Sequence, residues 1–123
     1  MNPVDAAARG IENGDIIKIS NDRGAVLGGA YVTERMMPGA VSQDHGAKYD
    51  PIVPGELDRG GAIDTICPRK PTSRNAVGMA VSGFLVEMER ANLDELRRQY
   101  PEAFNRPFHP TTGTCIESFV GGE

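Results

Sequence analysis

The first thirty residues constrain the fold most, because they combine a helix signal with a hairpin signal. Pro3 suits the first turn of a helix, the alanines after it propagate the helix, and Gly10 can adopt the left-handed conformation that ends it. Two strand-like runs follow at 16–20 and 25–33, and the turn-forming residues 21–24 separate them. The sequence therefore predicts a short helix that leads into a β-hairpin.

The rest of the chain predicts further short strands and one more helix. Strands are expected at 40–42, 62–67 and 84–88. The stretch 45–61 has the composition of a loop, and a capping asparagine with a following proline bounds a predicted helix over 92–100. The tail from 104 to 123 is rich in Pro, Gly and Thr and is expected to be extended. This pattern favours a mainly β fold, a β-barrel with small helical additions.

Composition excludes several classes of protein. With 123 residues, 39% hydrophobic and 24% charged, the chain fits one globular domain. It has neither an apolar run near the ~20 residues of a membrane span nor a secretion signal pattern, so we expect a cytoplasmic protein without a membrane partner. Arg69, Lys70 and Arg74 form a basic stretch that is too narrow for duplex nucleic acid but sufficient for a small anion.

The residues that most often carry catalysis or bind metals are isolated in this sequence. Cys67 and Cys115 lack a C-x-x-C spacing, so we expect two unrelated reduced thiols. His45 is interpreted as a turn residue or a ligand contact, and His109 as a packed residue of the tail. A zinc site needs three or four ligands, two of them usually close in sequence, and a G-x-S-x-G elbow is absent. We predict no catalytic residue and no metal ligand.

The basic stretch is the best candidate for binding a ligand. Residues 68–75 place three cations beside Thr72, Ser73 and Asn75, and such groups can neutralise and orient a pyrophosphate. Asp64 lies just before this stretch, and a carboxylate can accept hydrogen bonds from the N1–H and N2–H₂ groups of guanine. A solvated charged loop is the alternative interpretation. Neither a G-x-G-x-x-G nor a Walker motif is present.

A series of motifs resembles the C-terminal dinucleotide-binding domain of the dimethyl sulfoxide reductase family. These enzymes are molybdenum or tungsten oxidoreductases that carry bis(molybdopterin guanine dinucleotide). The motifs are Asn2–Ile11, Asn13–Asp15, Asn21–Gly24, Pro38–Gly39, His45–Pro51, Asp58–Gly61, Thr72–Arg74 and Leu85–Glu87. Within the family, residues 52–79 and the long tail look most like the large subunits of transhydroxylases, which act on polyhydroxylated benzenes.

The resemblance implies a double-psi β-barrel that holds the dinucleotide parts of the cofactor, while other domains hold the metal. By position, the implied cofactor-binding residues are His45, Gly46, Asp64, Thr65, Ser73, Arg74, Asn75 and Val77. The chain departs from the family pattern at Ala62 and Asp64, where many relatives have asparagine, and at Val77, where they have glutamine. Backbone contacts at these positions remain compatible with the implied site.

The resemblance also implies that residues 1–123 are a C-terminal fragment of a larger enzyme and lack the opening strand of the barrel. The implied partners are the remaining domains of the parent subunit and an iron–sulfur small subunit. The chain alone is not expected to turn over a substrate. The alternative is a structural or interaction β-barrel domain that binds no cofactor, which Val77 and the absent opening segment favour.

Overall fold

The computed structural model describes residues 1–44, 46–75, 78 and 83–102. Within these residues, short strands and two short α-helices follow one another along the chain. They are α1 (Pro3–Ala8), β1 (Ile16–Ser20), β2 (Ala25–Gly29), β3 (Pro51–Val53), β4 (Leu57–Asp58), a 3₁₀ turn (Ile63–Thr65), β5 (Glu87–Arg90) and α2 (Leu93–Gln99). The prediction of a mainly β fold with few short helices is confirmed.

The five strands form one mixed sheet in the order β3-β4-β2-β1-β5. β1 is antiparallel to both β2 and β5, whereas β2 is parallel to β4. Ile17 and Ile19 of β1 are buried and Lys18 between them is only partly covered, as expected for a strand with one face on the core. The predicted hairpin is confirmed.

The second strand of the hairpin ends earlier than predicted, at Gly29. The peptide N–H of Ala30 still donates to Asp15 O (2.8 Å), but the N–H of Thr33 donates to Met1 O (2.9 Å). After Ala30 the chain therefore leaves β1 and runs towards the N-terminal segment. The local sequence does not predict this change of direction.

The main core lies between α1 and the hairpin. It comprises Met1, Ala6, Ile11, Ile17, Ile19, Val26, Ala30 and Ile66. Asn2 fixes the start of α1 by accepting a hydrogen bond from the N–H of Val4 (2.8 Å), and its amide donates to Met36 O (2.7 Å). The predicted first helix is confirmed, and its cap also ties it to the loop after β2.

The second predicted helix is confirmed as α2. Asn92 caps it by accepting from the N–H of Glu95 (3.1 Å). Leu93 and Leu96 pack on a smaller cluster formed by Leu27 and Ile52. Within the described part of the chain, neither helix has the length and apolar character that a membrane span requires.

Three strand predictions need correction. Residues 40–42 form no strand, because the N–H of Ala40 closes a turn on Met37 O (3.3 Å). Residues 62–67 contain the 3₁₀ turn instead of a strand, for a reason given below. The strand predicted at 84–88 begins only at Glu87.

Two strands, β3 and β4, lie inside the stretch 45–61 that was predicted to be a loop. They are three and two residues long, too short to produce an alternating pattern in the sequence. The predicted extended tail, with Cys115 and His109, lies outside the described residues. Cys67 is a free thiol, as predicted.

Candidate functional site

A cavity of about 610 Å³ lies where the β1–β2 turn, the loop around Tyr49 and the segment after β4 meet. We call it the Asp64 cavity. Its lining residues are Arg23, Ala47, Tyr49, Gly55, Ala62, Asp64, Thr65, Cys67 and Arg69. Pockets of about 300–1,000 Å³ are typical of small-molecule sites, so this cavity is large enough for a nucleotide.

The buried carboxylate of Asp58 shapes the segment that carries Asp64. Its Oδ1 accepts from the N–H of Asp50 (2.6 Å) and its Oδ2 from the N–H of Ala62 (2.7 Å). The side chain is fully buried at the end of β4. Because the carboxylate takes the N–H of Ala62, that group is not available for a sheet ladder, and the chain turns at once into the 3₁₀ turn.

Ile66 anchors the other end of the 3₁₀ turn. Its side chain is 1% exposed in the main core, and its N–H closes the turn on Ile63 O (3.0 Å). With both ends of the turn fixed, the intervening Asp64 remains exposed and lines the cavity. The apolar residues that suggested a strand at 62–67 therefore serve as anchors for a turn.

The β1–β2 turn packs directly against this segment. The side-chain amide of Asn21 donates to Ile66 O (2.8 Å), and Nη1 of Arg23 donates to the same oxygen (3.2 Å). A Cβ on Gly24 would lie 2.9 Å from Cγ2 of Thr65 and 3.1 Å from Glu56 O. A side chain at this position would force its neighbours to shift, so glycine allows the β1–β2 turn to pack closely against the segment that carries Asp64.

Another part of the cavity wall is formed by Tyr49. Its hydroxyl accepts a hydrogen bond from the N–H of Gly55 (2.8 Å), a residue in the left-handed conformation at φ +76°. The contact joins the loop before β3 to the turn after it. This part of the cavity wall is therefore stabilised by a hydrogen bond between residues six positions apart in the chain.

The structure brings together two of the three predicted contact segments. Asp64 and Thr65 line the cavity. Gly46, left-handed at φ +98°, directly precedes the lining residue Ala47. The loop of Gly46 is tied to the Asp64 segment because Nε2 of Gln43 donates to the carbonyl of Gly61 (2.9 Å). His45 and Val77, also predicted to contact the cofactor, lie outside the described residues.

The third predicted segment does not line the cavity. Ser73, Arg74 and Asn75 are exposed in a turn, where the N–H of Thr72 donates to Gly78 O (2.9 Å). Of the three cations in the basic stretch, Arg69 lines the cavity.

A second cation at the cavity, Arg23, was missed by the sequence analysis. Residues 21–24 were interpreted as a hairpin turn and as one of the family motifs, but no ligand contact was predicted there. No local signal identifies Arg23, because it reaches the cavity only through the close packing of Gly24 against Thr65 and Glu56.

The cavity also determines the chemistry of its cysteine. Burial raises the pKa of the Cys67 thiol, the nearby charge of Asp64 raises that pKa further, and Arg23 opposes both effects. A thiol with a raised pKa is a poor nucleophile at neutral pH. Among the described residues, no group of three or more His, Cys, Asp and Glu side chains is placed to hold a metal ion. The arrangement is suited to binding rather than to covalent catalysis.

A larger cavity of about 850 Å³ lies elsewhere on the sheet. Its lining includes Ile17, Ile19, Ile63, Phe84 and Met88. The lining is mainly apolar, with Arg35, Gln43 and Asp44 among its polar members, so it offers one arginine to a phosphorylated ligand where the Asp64 cavity offers two. The Asp64 cavity is the better candidate, because two guanidinium groups line it together with the predicted residues Asp64 and Thr65.

Comparison with known proteins identifies what the chain is similar to. Residues 1–84 match the molydopterin dinucleotide-binding domain. The chain is 45% identical over 98 residues to the pyrogallol hydroxytransferase large subunit of Pelobacter acidigallici. The matched residues make up 77% of this chain and 11% of that protein. It is 46% identical over 90 residues to dimethyl sulfoxide reductase DmsA of Escherichia coli K12, covering 73% and 11% respectively.

A third relative is the dimethyl sulfoxide/trimethylamine N-oxide reductase of Cereibacter sphaeroides, 41% identical over 93 residues that cover 73% of this chain and 11% of the relative. The matched region therefore spans about a tenth of the length of each of these proteins. Similarity is comparable for the hydroxytransferase and for the reductases.

Proposed function

This chain belongs to the molydopterin dinucleotide-binding domain family, within the dimethyl sulfoxide reductase family, and from that premise we propose that its Asp64 cavity binds the guanosine diphosphate end of a molybdopterin guanine dinucleotide. The polar groups that line the cavity support this proposal. The cavity offers a carboxylate for a base with two adjacent N–H groups, a hydroxyl, and guanidinium groups for phosphate.

Each of these groups has a proposed role. The carboxylate of Asp64 accepts from the N1–H and N2–H₂ groups of guanine, an arrangement that adenine cannot match. The hydroxyl of Thr65 donates to a ribose or phosphate oxygen, and Arg69 offsets phosphate charge. The assignment depends mainly on the placement of Asp64, which lines the cavity in a turn whose two ends are fixed.

The other contacts implied by the resemblance remain proposals. They are Gly46, Ser73, Arg74 and Asn75, and, outside the described residues, His45 and Val77. Exposed side chains at 73–75 are available to a ligand that extends beyond the cavity, or to another domain. Contacts at Val77 would have to use the backbone, since its side chain has no polar group.

In this proposal the domain positions the cofactor and performs no reaction by itself. When bound, the cofactor supplies the metal-centred chemistry of the parent enzyme. The residues of this chain bind the nucleotide end and fix its orientation, so that the distant reactive end meets the substrate in a defined place.

The parent protein is also a proposal, because the chain spans about a tenth of its relatives. We propose that residues 1–123 act as the C-terminal domain of a larger subunit, with a double-psi barrel completed by other parts of the parent. Its cofactor would be bis(molybdopterin guanine dinucleotide) with molybdenum or tungsten. The remaining domains and an iron–sulfur small subunit would be its partners, in the cytoplasm.

For the parent we propose transhydroxylase-like activity on polyhydroxylated aromatics, on the resemblance over residues 52–79. Reductases of sulfoxides and N-oxides match the chain at similar identity, so a turnover assay of the purified parent must include all three substrate classes. Hydroxyl transfer between polyhydroxylated benzenes is the expected activity. Turnover of sulfoxides or N-oxides alone would contradict it.

Calorimetric titration of the chain with GDP and with ADP tests the cavity assignment. We expect the chain to bind GDP more tightly than ADP. Asp64→Asn should lower the affinity for GDP about tenfold or more while leaving ADP unchanged, because the amide offers one acceptor where the carboxylate offers two.

Asp94→Asn is the matched control, since Asp94 is an exposed residue of α2 and does not line the cavity. Equal loss of affinity in both variants would contradict the role of Asp64. A chain that binds neither nucleotide would favour the alternative of a structural or interaction domain.

A further inference from the structure

The guanidinium group of Arg23 is held in place on two sides. Its Nη1 donates to Ile66 O (3.2 Å), and its planar group lies over the ring of Phe84, 5.8 Å from the centroid. The carboxylate of Asp22 is 3.9 Å from Nη1 but 90% exposed, so this pair is weak. Arg23 is therefore positioned by a carbonyl and an aromatic face, and its charge is not neutralised by a close partner.

The donors of Arg23 are only partly used. Among the described residues, Nε and Nη2 have no hydrogen-bond acceptor. These two nitrogens form one edge of the guanidinium fork, the geometry that matches two oxygens of a phosphate. Arg23 also lines the Asp64 cavity, and its side chain is 37% exposed.

The carbonyl of Ile66 does not require Arg23. Asn21 already donates to it at 2.8 Å, shorter than the 3.2 Å contact of Arg23. A short neutral residue at position 23 would leave the turn and the Ile66 anchor intact. The contact with the Phe84 ring uses the face of the guanidinium group and leaves its Nε–Nη2 edge available to a ligand.

We propose that Arg23 is a phosphate-binding residue that grips the pyrophosphate of the nucleotide in the Asp64 cavity, together with Arg69. The inference rests on the proposed function and adds a residue that was not among the predicted cofactor contacts. The proposal assigns different parts of the ligand to different residues of the cavity. The two guanidinium groups take the anionic part of the ligand, and Asp64 takes the base.

Position and charge together favour this division. An arginine that is already oriented loses little side-chain freedom when it binds, which leaves more of the interaction energy for the ligand. The opposite charges of Asp64 and the arginines also fix the direction in which a nucleotide enters. A nucleotide bound the other way would place phosphate against the carboxylate.

The test is calorimetric titration of the chain with GDP and with guanosine, which lacks phosphate. Wild-type chain should bind GDP more tightly than guanosine, and added salt should reduce that difference. Arg23→Gln should lower GDP affinity about tenfold to a hundredfold and leave guanosine affinity unchanged. Arg23→Lys keeps the charge without the fork and should give an intermediate loss.

Arg9→Gln is the control for the loss of one positive charge, because Arg9 is an exposed residue at the end of α1 whose side chain donates only to Asp5 O among the described residues. Unchanged GDP affinity in Arg23→Gln, or equal losses for GDP and guanosine, would overturn the assignment of Arg23 while leaving the proposed function standing. Wild-type chain that binds neither ligand would overturn both. Thermal unfolding of each variant verifies that it is folded.

Discussion

Replacing Asp58 tests whether a buried carboxylate builds the candidate site. Asp58 is fully buried and accepts hydrogen bonds from the N–H groups of Asp50 and Ala62, at 2.6 and 2.7 Å. Asp58→Ala removes both acceptors at once. Two N–H groups are then left without partners at the base of the segment that presents Asp64.

The size of the effect follows from the number of bonds lost. Each buried donor left without an acceptor costs about 1–3 kcal/mol, so Asp58→Ala should destabilise the chain by about 2–6 kcal/mol. Asp58→Asn keeps one carbonyl oxygen and loses one bond, so it should cost about 1–3 kcal/mol. Domains are stable by only about 5–15 kcal/mol, so the alanine variant should lose a large part of the stability of the domain.

Urea unfolding followed by circular dichroism measures these losses, since the chain has no tryptophan to report by fluorescence. Asp22→Ala is the matched control, because its side chain is 90% exposed and its removal should change stability by no more than about 0.5 kcal/mol. The reasoning would be refuted if Asp58→Ala had the same unfolding midpoint as Asp22→Ala.

Two further predictions concern the packing and the charges of the cavity. Gly24→Ala should cost about 1–3 kcal/mol of stability in urea unfolding, because its Cβ would lie 2.9 Å from a threonine methyl and 3.1 Å from a carbonyl oxygen. Gly29→Ala, with nothing within 4 Å of its Cβ, should be nearly neutral, and equal losses would refute the close-packing argument. In a chain whose other cysteine is serine, Asp64→Asn should lower the pKa of Cys67 and move its alkylation profile to lower pH, whereas Arg23→Gln should raise that pKa. Profiles that do not move in either variant would contradict the placement of these charges.

Elements with strong local signals were predicted well from the sequence. α1 and α2 have side-chain caps at Asn2 and Asn92, and both caps are formed. The β1–β2 hairpin follows from its turn residues. In each case the interactions that stabilise the element lie within a few residues, so a local pattern is sufficient.

Elements that depend on burial or on pairing with other parts of the fold were missed. Residues 62–67 have the composition of a strand, but the carboxylate of Asp58 and the burial of Ile66 impose a turn. The two-residue strand β4 exists because it pairs with β2, which is some thirty residues earlier in the chain. No window of sequence contains this information.

In the candidate site too, residues of one short segment were predicted, whereas a residue brought in by packing was not. Asp64 and Thr65 were predicted and both line the cavity, since they belong to one short segment. The predicted cations are not all at the cavity: Arg69 lines it, whereas Arg74 lies in an exposed turn. Arg23 comes from the hairpin, and only the packing of Gly24 against the Asp64 segment brings it there.

The most direct test of the account is a titration of isotopically labelled chain with GDP, followed by the backbone amide resonances in two-dimensional NMR. If the Asp64 cavity binds the nucleotide, the resonances that shift should be those of Ala47, Tyr49 and residues 62–67, with smaller shifts at Arg23. Shifts confined to the apolar surface around Phe84, or no shifts at all, would contradict the account.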